Sequence, residues 1–337
     1  MNKLRSPTII DVAREAGVSK SAVSRALLGQ GDVSPETLER VLAAADLLGY
    51  VPNAMARGLV SQRTMTLGVV LRDSTTQFYG YLQAAMQRRA AKFGYEVVSV
   101  TGVDDLTVED AQKALRSLIA LRVDGLIVSS AQLPGEDLVR YAQRVPIVVA
   151  GRAEYAEGIV SVHCDEEDGG GQIAEHVVKL GHRNVAVLLM SSDESPNGYT
   201  RGQAMIRTLE ASGVTVHVME LDAYRAPVGL AVMKTLADPA ITALMCPSDI
   251  TMVNVLEELR VQGIPIPGRL SVTGYDAFGT LAAPFFGFTS FRLPVEEIGT
   301  TAIDRVIELI EAGVTSEKRT AIPGVLVPGR TAAPPRR

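Results

Sequence analysis

Between Thr8 and Leu28 the chain reads TIIDVAREAGVSKSAVSRALL, and the placement of its small residues admits few folds. Ala13, Gly17 and Val23 fall four and six residues apart, the spacing of a helix-turn-helix. The alanine lets two helices pack closely, the glycine turns the chain, and the valine fills a miniature core. Ile10, Ala13 and Ala16 give the first helix an apolar stripe at i, i+3 and i+6. Gly17 ends it by accepting the left-handed backbone that residues with a β-carbon resist. Ser19 then offers its hydroxyl as N-cap to a second helix with Ala22, Val23, Ala26 and Leu27 turned inward. The outward side chains, Lys20, Ser21, Ser24 and Arg25, are short, polar or cationic, which suits a helix lying in a major groove. Lys20, Ser21 and Arg25 are expected at base edges, and Ser19, Ala22 and Ser24 nearer the phosphates. Two short amphipathic helices joined by glycine can match this pattern without binding DNA. The next segment strengthens the reading. VSPETLERVLAAADLLGY predicts a third helix with Ser34 as N-cap, Pro35 at its first position and Gly49 past its end. Its stripe of Leu38, Val41, Leu42, Ala45 and Leu48 is expected to close a three-helix bundle.

From Thr66 onward short apolar runs alternate with helical stretches. TLGVVL, YEVVSV, GLIVSS and IVVAG form one set; NVAVLLM, VTVHVM, ITALMC and LSVTGY form a second. Such alternation calls for parallel sheets with helices on both faces, an α/β architecture. At 337 residues the chain suggests two or three domains. Ligands in open α/β sheets sit beyond the carboxyl ends of strands. The candidates there are Asp73 to Tyr79, Ser129 and Ser130, Gly151 and Arg152, Met190 to Arg201 (including Tyr199), Ser248 and Asp249, and Tyr275 and Asp276.

The net charge of -5 is unevenly spread. Residues 1–63 hold eight Lys/Arg against six Asp/Glu, a net of +2, and the rest carries -7. That split draws the headpiece to phosphate while repelling the body. The excess is modest, so two copies are expected to bind together. MNKLRSPTIID lacks the apolar run of a secretory signal, and nothing later reaches membrane-spanning length. Cys164 and Cys246 are too few for a disulfide framework. A cytoplasmic location without membrane contact is expected.

With YVPNAMARGLVSQRT (Tyr50 to Thr64) the pattern becomes specific. Together with RVDGLIV, KLGHRNVAVL, SVTGYDAF and FRLPVEEIGTTAID, it resembles the lac-repressor/galactose-repressor family of bacterial transcription regulators from Thr8 to Thr331. The resemblance implies a headpiece over 1–50, a hinge helix and linker over 51–64, and a two-lobed effector domain like periplasmic sugar-binding proteins. Its N-lobe is expected from 65–161 and 291–320, its C-lobe from 162–290 and 321–331, and a tail over 332–337. Crossovers are thus implied near Ser161, Ser290 and Ala321. Asn53, Ala56 and Leu59 fall on the hinge, with Leu59 at the position that wedges into the minor groove. A plain tether with Leu59 packed on the body is the alternative. Gly58 stands where Ser or Ala is usual, which weakens a helix already short.

The same resemblance places Asp276 where an aspartate accepts hydrogen bonds from ligand hydroxyls or amines, against a role as turn cap. It places Arg201 at a family arginine, against a solvated helix charge. Phe78 and Tyr79 occupy its aromatic position. Tyr199 stands where sugar-responsive members often carry another arginine, Ser248 where Asn is common, Gly151 for a frequent Asp, and Leu293 for a frequent Gln. These losses favour a less hydroxylated or partly aromatic effector over a simple hexose, unless another part of the pocket reads the sugar. The implied partners are double-stranded, pseudo-palindromic operator DNA, a small effector (a sugar or related metabolite) and a second copy of the chain. No leucine heptad follows Arg330, so no coiled coil joins two dimers.

Other chemistries find less support. Neither G-x-x-x-x-G-K-[ST] nor G-x-G-x-x-G after a strand occurs, and no cofactor is expected. DGGGQ (Asp168 to Gln172) reads as a place where lobes pack closely. His163, Cys164 and Asp165 are adjacent, so they point to alternate faces of a strand and not around one metal. His182 reads as bracing a helix-to-strand corner. The reading is a DNA-binding regulator, most simply a repressor. A solute-binding module without DNA function is the alternative, and an enzyme the third.

Overall fold

The computed structural model describes residues 7–28, 33–51, 63–102, 106–221, 229–315 and 317–336. Three helices open the chain: α1 (Ile9–Ala16), α2 (Lys20–Leu28) and α3 (Pro35–Leu48). Thr8 and Asp11 cap α1 reciprocally: the Thr8 N–H donates to Asp11 Oδ2 at 2.9 Å, and the Asp11 N–H to Thr8 Oγ1 at 3.4 Å. Gly17 ends the helix with φ 63° and ψ 36°. Arg40 of α3 donates to the freed carbonyls of Ala16 and Gly17, tying the third helix to the turn. Val12, Ala13, Ala16, Val23, Ala26, Val41, Ala44 and Ala45 form the buried core.

Two apolar faces differ from the sequence expectation. Ile10 is 55% exposed, and Ile9 with Val12 carries the inner face of α1 instead. Leu38 and Leu42, expected to close the bundle, are 37% and 51% exposed, and Ala44 takes the inner position. A core this small admits alanines where the helices cross and turns the longer leucines outward.

A side chain at position 17 would need a left-handed backbone and would bring its Cβ to 3.0 Å from Arg40 Nη2. Gly17→Ala is therefore expected to weaken the headpiece by about 1–2 kcal/mol. The readout is faster amide exchange over Ile9–Leu28 in the full chain; unchanged exchange would show that the turn tolerates a β-carbon.

The body begins with β1 (Thr66–Leu71), α4 (Gln77–Ala91), β2 (Glu96–Thr101), α5 (Val108–Ala120), β3 (Gly125–Ser129), α6 (Gly135–Ala142), β4 (Ile147–Ala150) and β5 (Val160–Cys164). Next come α7 (Glu166–Lys179), β6 (Asn184–Met190), α8 (Pro196–Ala211), β7 (Thr215–Leu221), α9 (Leu230–Leu236), β8 (Ala243–Met245), α10 (Asp249–Val261) and β9 (Ser271–Thr273). A 3-10 turn (Gly279–Ala282), β10 (Ser290–Arg292), α11 (Val295–Ala312), β11 (Arg319–Ile322) and β12 (Val325–Val327) complete it.

The first sheet has the order β11-β5-β4-β3-β1-β2 and the second β7-β6-β8-β9, both parallel throughout. β10 and β12 pair antiparallel between them. Alternation along the strands sets the layers. Val70, Leu126 and Val128 face Leu115 and Leu118 of α5, whereas Leu67, Val69 and Ile127 face Leu82 and Met86 of α4 and Ile298 and Val306 of α11. The second core continues into the second sheet, through Cys164, Tyr275 and Phe291 to Val185, Val187 and Met205. β5 and β11 stand wholly in the first sheet, so the chain leaves it after Cys164 and Ile322, slightly later than the crossovers expected at Ser161 and Ala321.

Close approach explains the glycine run of α7. A Cβ on Gly170 would lie 2.4 Å from the Arg201 carbonyl oxygen, and one on Gly169 2.1 Å from the Tyr275 hydroxyl. The run lets α7 meet α8 and the β9 turn at backbone distance. His182 is buried, with Nδ1 2.8 Å from Thr242 Oγ1 and Nε2 3.1 Å from the Ala333 carbonyl, so it pins the final strand segment as well as the corner. Both cysteines are buried. Among the described residues no helix is long and apolar enough to cross a membrane.

Candidate functional site

Two surfaces carry the candidate residues. On the headpiece, Ser19 caps α2 through a bond from the Ala22 N–H at 3.2 Å. That cap directs Lys20, Ser21 and Arg25 outward, all exposed, while Ala22 and Ser24 are half-buried at the helix flank. Asn53, Ala56 and Leu59 of the expected hinge lie outside the described residues.

The second surface lies where the carboxyl ends of both sheets face each other, and direct bonds cross it. Arg72, just after β1, donates from Nη1 to the Glu194 carbonyl at 3.2 Å and lies 3.5 Å from the Glu194 carboxylate. Asn197 of α8 donates from Nδ2 to the Gly151 carbonyl at 2.5 Å. Arg72, Glu194 and Asn197 therefore hold the two lobes together across the cleft, the first from one lobe and the others from its counterpart.

At the floor sits a buried charged cluster. Arg201 is 3% exposed; its Nη1 donates to the Pro247 carbonyl at 3.0 Å and its Nη2 to Glu166 Oε1 at 2.9 Å. The guanidinium carbon lies 4.0 Å from the centroid of the Tyr275 ring, which stacks on Phe291 at 4.7 Å. Asp276 Oδ1 is 3.8 Å from Arg201 Nη1, with 22% of its side chain exposed. Asp276 and Ala277 have φ of 131° and 41°, conformations that L residues seldom adopt. Both are over-determined. The Asp276 N–H donates to the Phe291 carbonyl at 2.8 Å, its carbonyl accepts from the Leu293 N–H at 2.9 Å, and the Ala277 N–H donates to Asp249 Oδ2 at 2.9 Å. Asp249 Oδ1 also accepts from Ser290 Oγ at 2.7 Å.

Electrostatics follow from this crowding. Burial, and then the neighbouring Asp249, push the Asp276 carboxyl well above its usual range, with Arg201 opposing. Burial raises Asp249 to about 6 against the bonds from Ser290 and the backbone. Burial raises Glu166 too, opposed by Arg201.

The remaining candidates divide. Phe78, Ser129 and Gly151 come together at the first sheet: a Cβ on Gly151 would lie 3.1 Å from the Phe78 ring and 3.4 Å from Ser129 Oγ. Tyr79 meets Phe78 edge to face at 5.2 Å. Asp73 accepts from the Thr75 N–H at 2.7 Å and from the hydroxyls of Thr75 and Thr76, so it shapes the turn before α4. Arg152 donates to Glu154 Oε2 at 2.5 Å and to the Leu133 carbonyl at 2.7 Å. Burial raises Glu154, but Arg152 and the N–H groups of Ala156 and Tyr155 outweigh it and hold the carboxyl below its ordinary value. Ser248 is buried as the N-cap of α10, bonded to the Thr251 N–H at 3.0 Å. Tyr199 is 39% exposed, one residue from the half-buried Thr200 and outside the cluster around Arg201. Arg72, Glu166, Glu194 and Asn197 were not among the chosen site residues. Their partners lie 35 to 122 residues away, and no local spacing signals such pairs.

Comparison with known proteins matches this two-part layout. Residues 8–53 match the profile described as "Bacterial regulatory proteins, lacI family", and residues 64–331 that of "Periplasmic binding proteins and sugar binding domain of LacI family". The chain belongs to the lacI family. This lacI-family member is 30% identical over 304 residues to catabolite control protein A of Priestia megaterium, covering 88% of the chain and 90% of the relative. It is 29% identical to the sucrose operon repressor of Pediococcus pentosaceus, over 97% of the chain and 99% of that protein. Among solved structures, the lac repressor dimer bound to operator and the anti-inducer ONPF matches with a TM-score of 0.84 and 25% identity, covering 98% of this chain and 100% of that one. These relatives are transcription regulators, and the lacI-family chain described here is a DNA-binding regulator with an effector domain.

Proposed function

We propose that this regulator is a repressor that grips a pseudo-palindromic operator as a homodimer and changes its grip when a small effector enters the cleft. The carrying observation is the exposed face of α2, where Lys20, Ser21 and Arg25 project from a closed three-helix core. Two such faces on a dimer axis require half-sites about one helical turn apart. The similarity to a lac repressor dimer on operator DNA supports this arrangement. Headpiece 1–50, hinge 51–64 and the two lobes form the working units, with Asn53, Ala56 and Leu59 of the hinge meeting the minor groove. Asp276, Arg201, Phe78 and Ser129 line the effector site, Arg152 and Ser248 brace its walls, Asp73 shapes its rim with Tyr79, and Tyr199 stands at its outer edge. The protein works by binding and not by catalysis, in the compartment that holds the chromosome, the cytoplasm.

An effector alters operator affinity only through unequal affinity for two lobe arrangements. The bonds from Arg72 and Asn197 belong to the closed arrangement. Arg25→Ala is expected to weaken binding to operator by about 1–3 kcal/mol and relax the preference at one base position. Gel shifts on operator and random duplexes read this out. Equal loss on both would remove Arg25 from base readout.

A further inference from the structure

We infer that the effector of this cleft carries a positive charge, an ammonium group on a small polyol scaffold, seated on Asp276; this rests on reading the cleft as the effector site. Three arginines stand at the strand ends, and each already has a glutamate. Arg72 lies 3.5 Å from Glu194, Arg152 bonds Glu154, and Arg201 bonds Glu166 at 2.9 Å. The described carboxylates left over are aspartates: Asp73, which accepts from Thr75 and Thr76, and the Asp249–Asp276 pair. Arg292 does not redress the balance. It is exposed, donates to the Ala277 carbonyl at 3.3 Å, and lines an outer pocket with Glu296 and Glu297.

The surplus is therefore negative, and it is buried. A buried charge demands a partner. Asp249 has two donors, from Ser290 and Ala277, whereas Asp276 presents the partly exposed carboxylate, 3.8 Å from Arg201. Arg201 is the cation nearest to it, and Glu166 already cancels that charge at 2.9 Å. A phosphate or carboxylate ligand would meet this surplus of aspartates with no unmatched arginine at the strand ends. An ammonium group would give Asp276 a charge-assisted hydrogen bond and relieve its repulsion with Asp249. The strained backbone at 276 and 277 keeps the carboxylate aimed, so its orientation is fixed before the ligand arrives. Glu166 thus sets specificity at one remove: it makes Arg201 a structural cation.

Matched sugars test this on the full-length protein. D-glucosamine, D-galactosamine and D-mannosamine are compared with glucose, galactose, mannose and glucose 6-phosphate, reading thermal shift and operator-binding anisotropy. At least one amino sugar is expected to raise Tm and shift operator affinity, binding at least about tenfold tighter than its neutral counterpart. Its affinity should fall with added salt while that of a neutral sugar does not. Asp276→Asn should abolish the amine preference, and Glu166→Gln, which frees the charge of Arg201, should reduce it. Circular dichroism of each variant without ligand separates lost preference from lost fold. A neutral sugar or glucose 6-phosphate that binds tighter, and loses that binding in Asp276→Asn, overturns the charge inference and leaves the cleft reading standing. Binding unaffected by Asp276→Asn overturns both. No amino sugar binding also overturns the inference.

Discussion

Arg201→Ala is expected to destabilise the two-lobed body by about 3–5 kcal/mol, the cost of leaving one member of a buried ion pair alone. Three contacts go at once: the bond to Glu166, the donor to the Pro247 carbonyl, and the cation over the Tyr275 ring. Glu166 is 7% exposed, and its second oxygen, Oε2, is buried without a hydrogen bond. Without Arg201 it must take up a proton or draw in water. Urea unfolding followed through the tyrosines reads the loss as a lower midpoint. A double variant, Arg201→Met with Glu166→Leu, should regain most of it, because apolar residues of similar volume remove both charges together. If the double variant is no more stable than the single one, packing and not the unpaired carboxylate dominates the loss.

The second expected effect is a dependence on pH that runs opposite to ordinary acid denaturation. Burial holds Asp249 at about 6 in the folded chain, against 3.8 as its ordinary value. A raised folded pKa means the native state binds the proton more tightly than the unfolded one. The stabilisation is fully present below the unfolded value and is lost as pH climbs through about 6. At 1.36 kcal/mol per unit, the window is worth about 3 kcal/mol. Asp276 and Glu166 are raised as well and push the same way. Asp249→Asn keeps an acceptor for the Ala277 N–H and removes the titration. Its stability relative to the parent should therefore improve by about 3 kcal/mol between about pH 4 and about pH 8. Parallel profiles for parent and variant would show that Asp249 titrates alike in both states.

The sequence reveals the frame of this molecule more readily than its interior chemistry. Every apolar run named from β1 to β9 holds a strand, because a parallel sheet covered on both faces demands continuous hydrophobic segments. The turn at Gly17 and the outward Lys20, Ser21 and Arg25 are legible because both depend on neighbours within one turn of helix. Ile10, Leu38 and Leu42 mislead for a physical reason. Three short helices bury about one small residue per turn, and amphipathic spacing cannot tell which leucine is left outside. The cleft is half legible. The strand ends locate Asp276, Arg201, Phe78 and Ser129. Whether an arginine meets ligand or glutamate depends on partners far away in the chain: Arg201 is matched by Glu166 and Arg72 by Glu194. Arg152 shows the other limit, since its partner Glu154 is two residues away yet the pairing depends on a bend that neither residue announces.

The order of synthesis gives the crossovers another consequence. The headpiece core closes with residues up to Tyr50, so it is complete early as the chain emerges. Neither sheet of the body shares that independence. β5 awaits β11 at Arg319–Ile322. The Val272 N–H bonds the Thr331 carbonyl, and Ser271 and His182 both bond the Ala333 carbonyl. The last twenty or so residues thus finish both lobes nearly together, roughly 270 positions after the headpiece is done. A nascent chain can display its DNA-reading helix well before it has a finished chamber in which to sense anything. A stop codon just before β11 would leave that helix attached to a body with two open sheets.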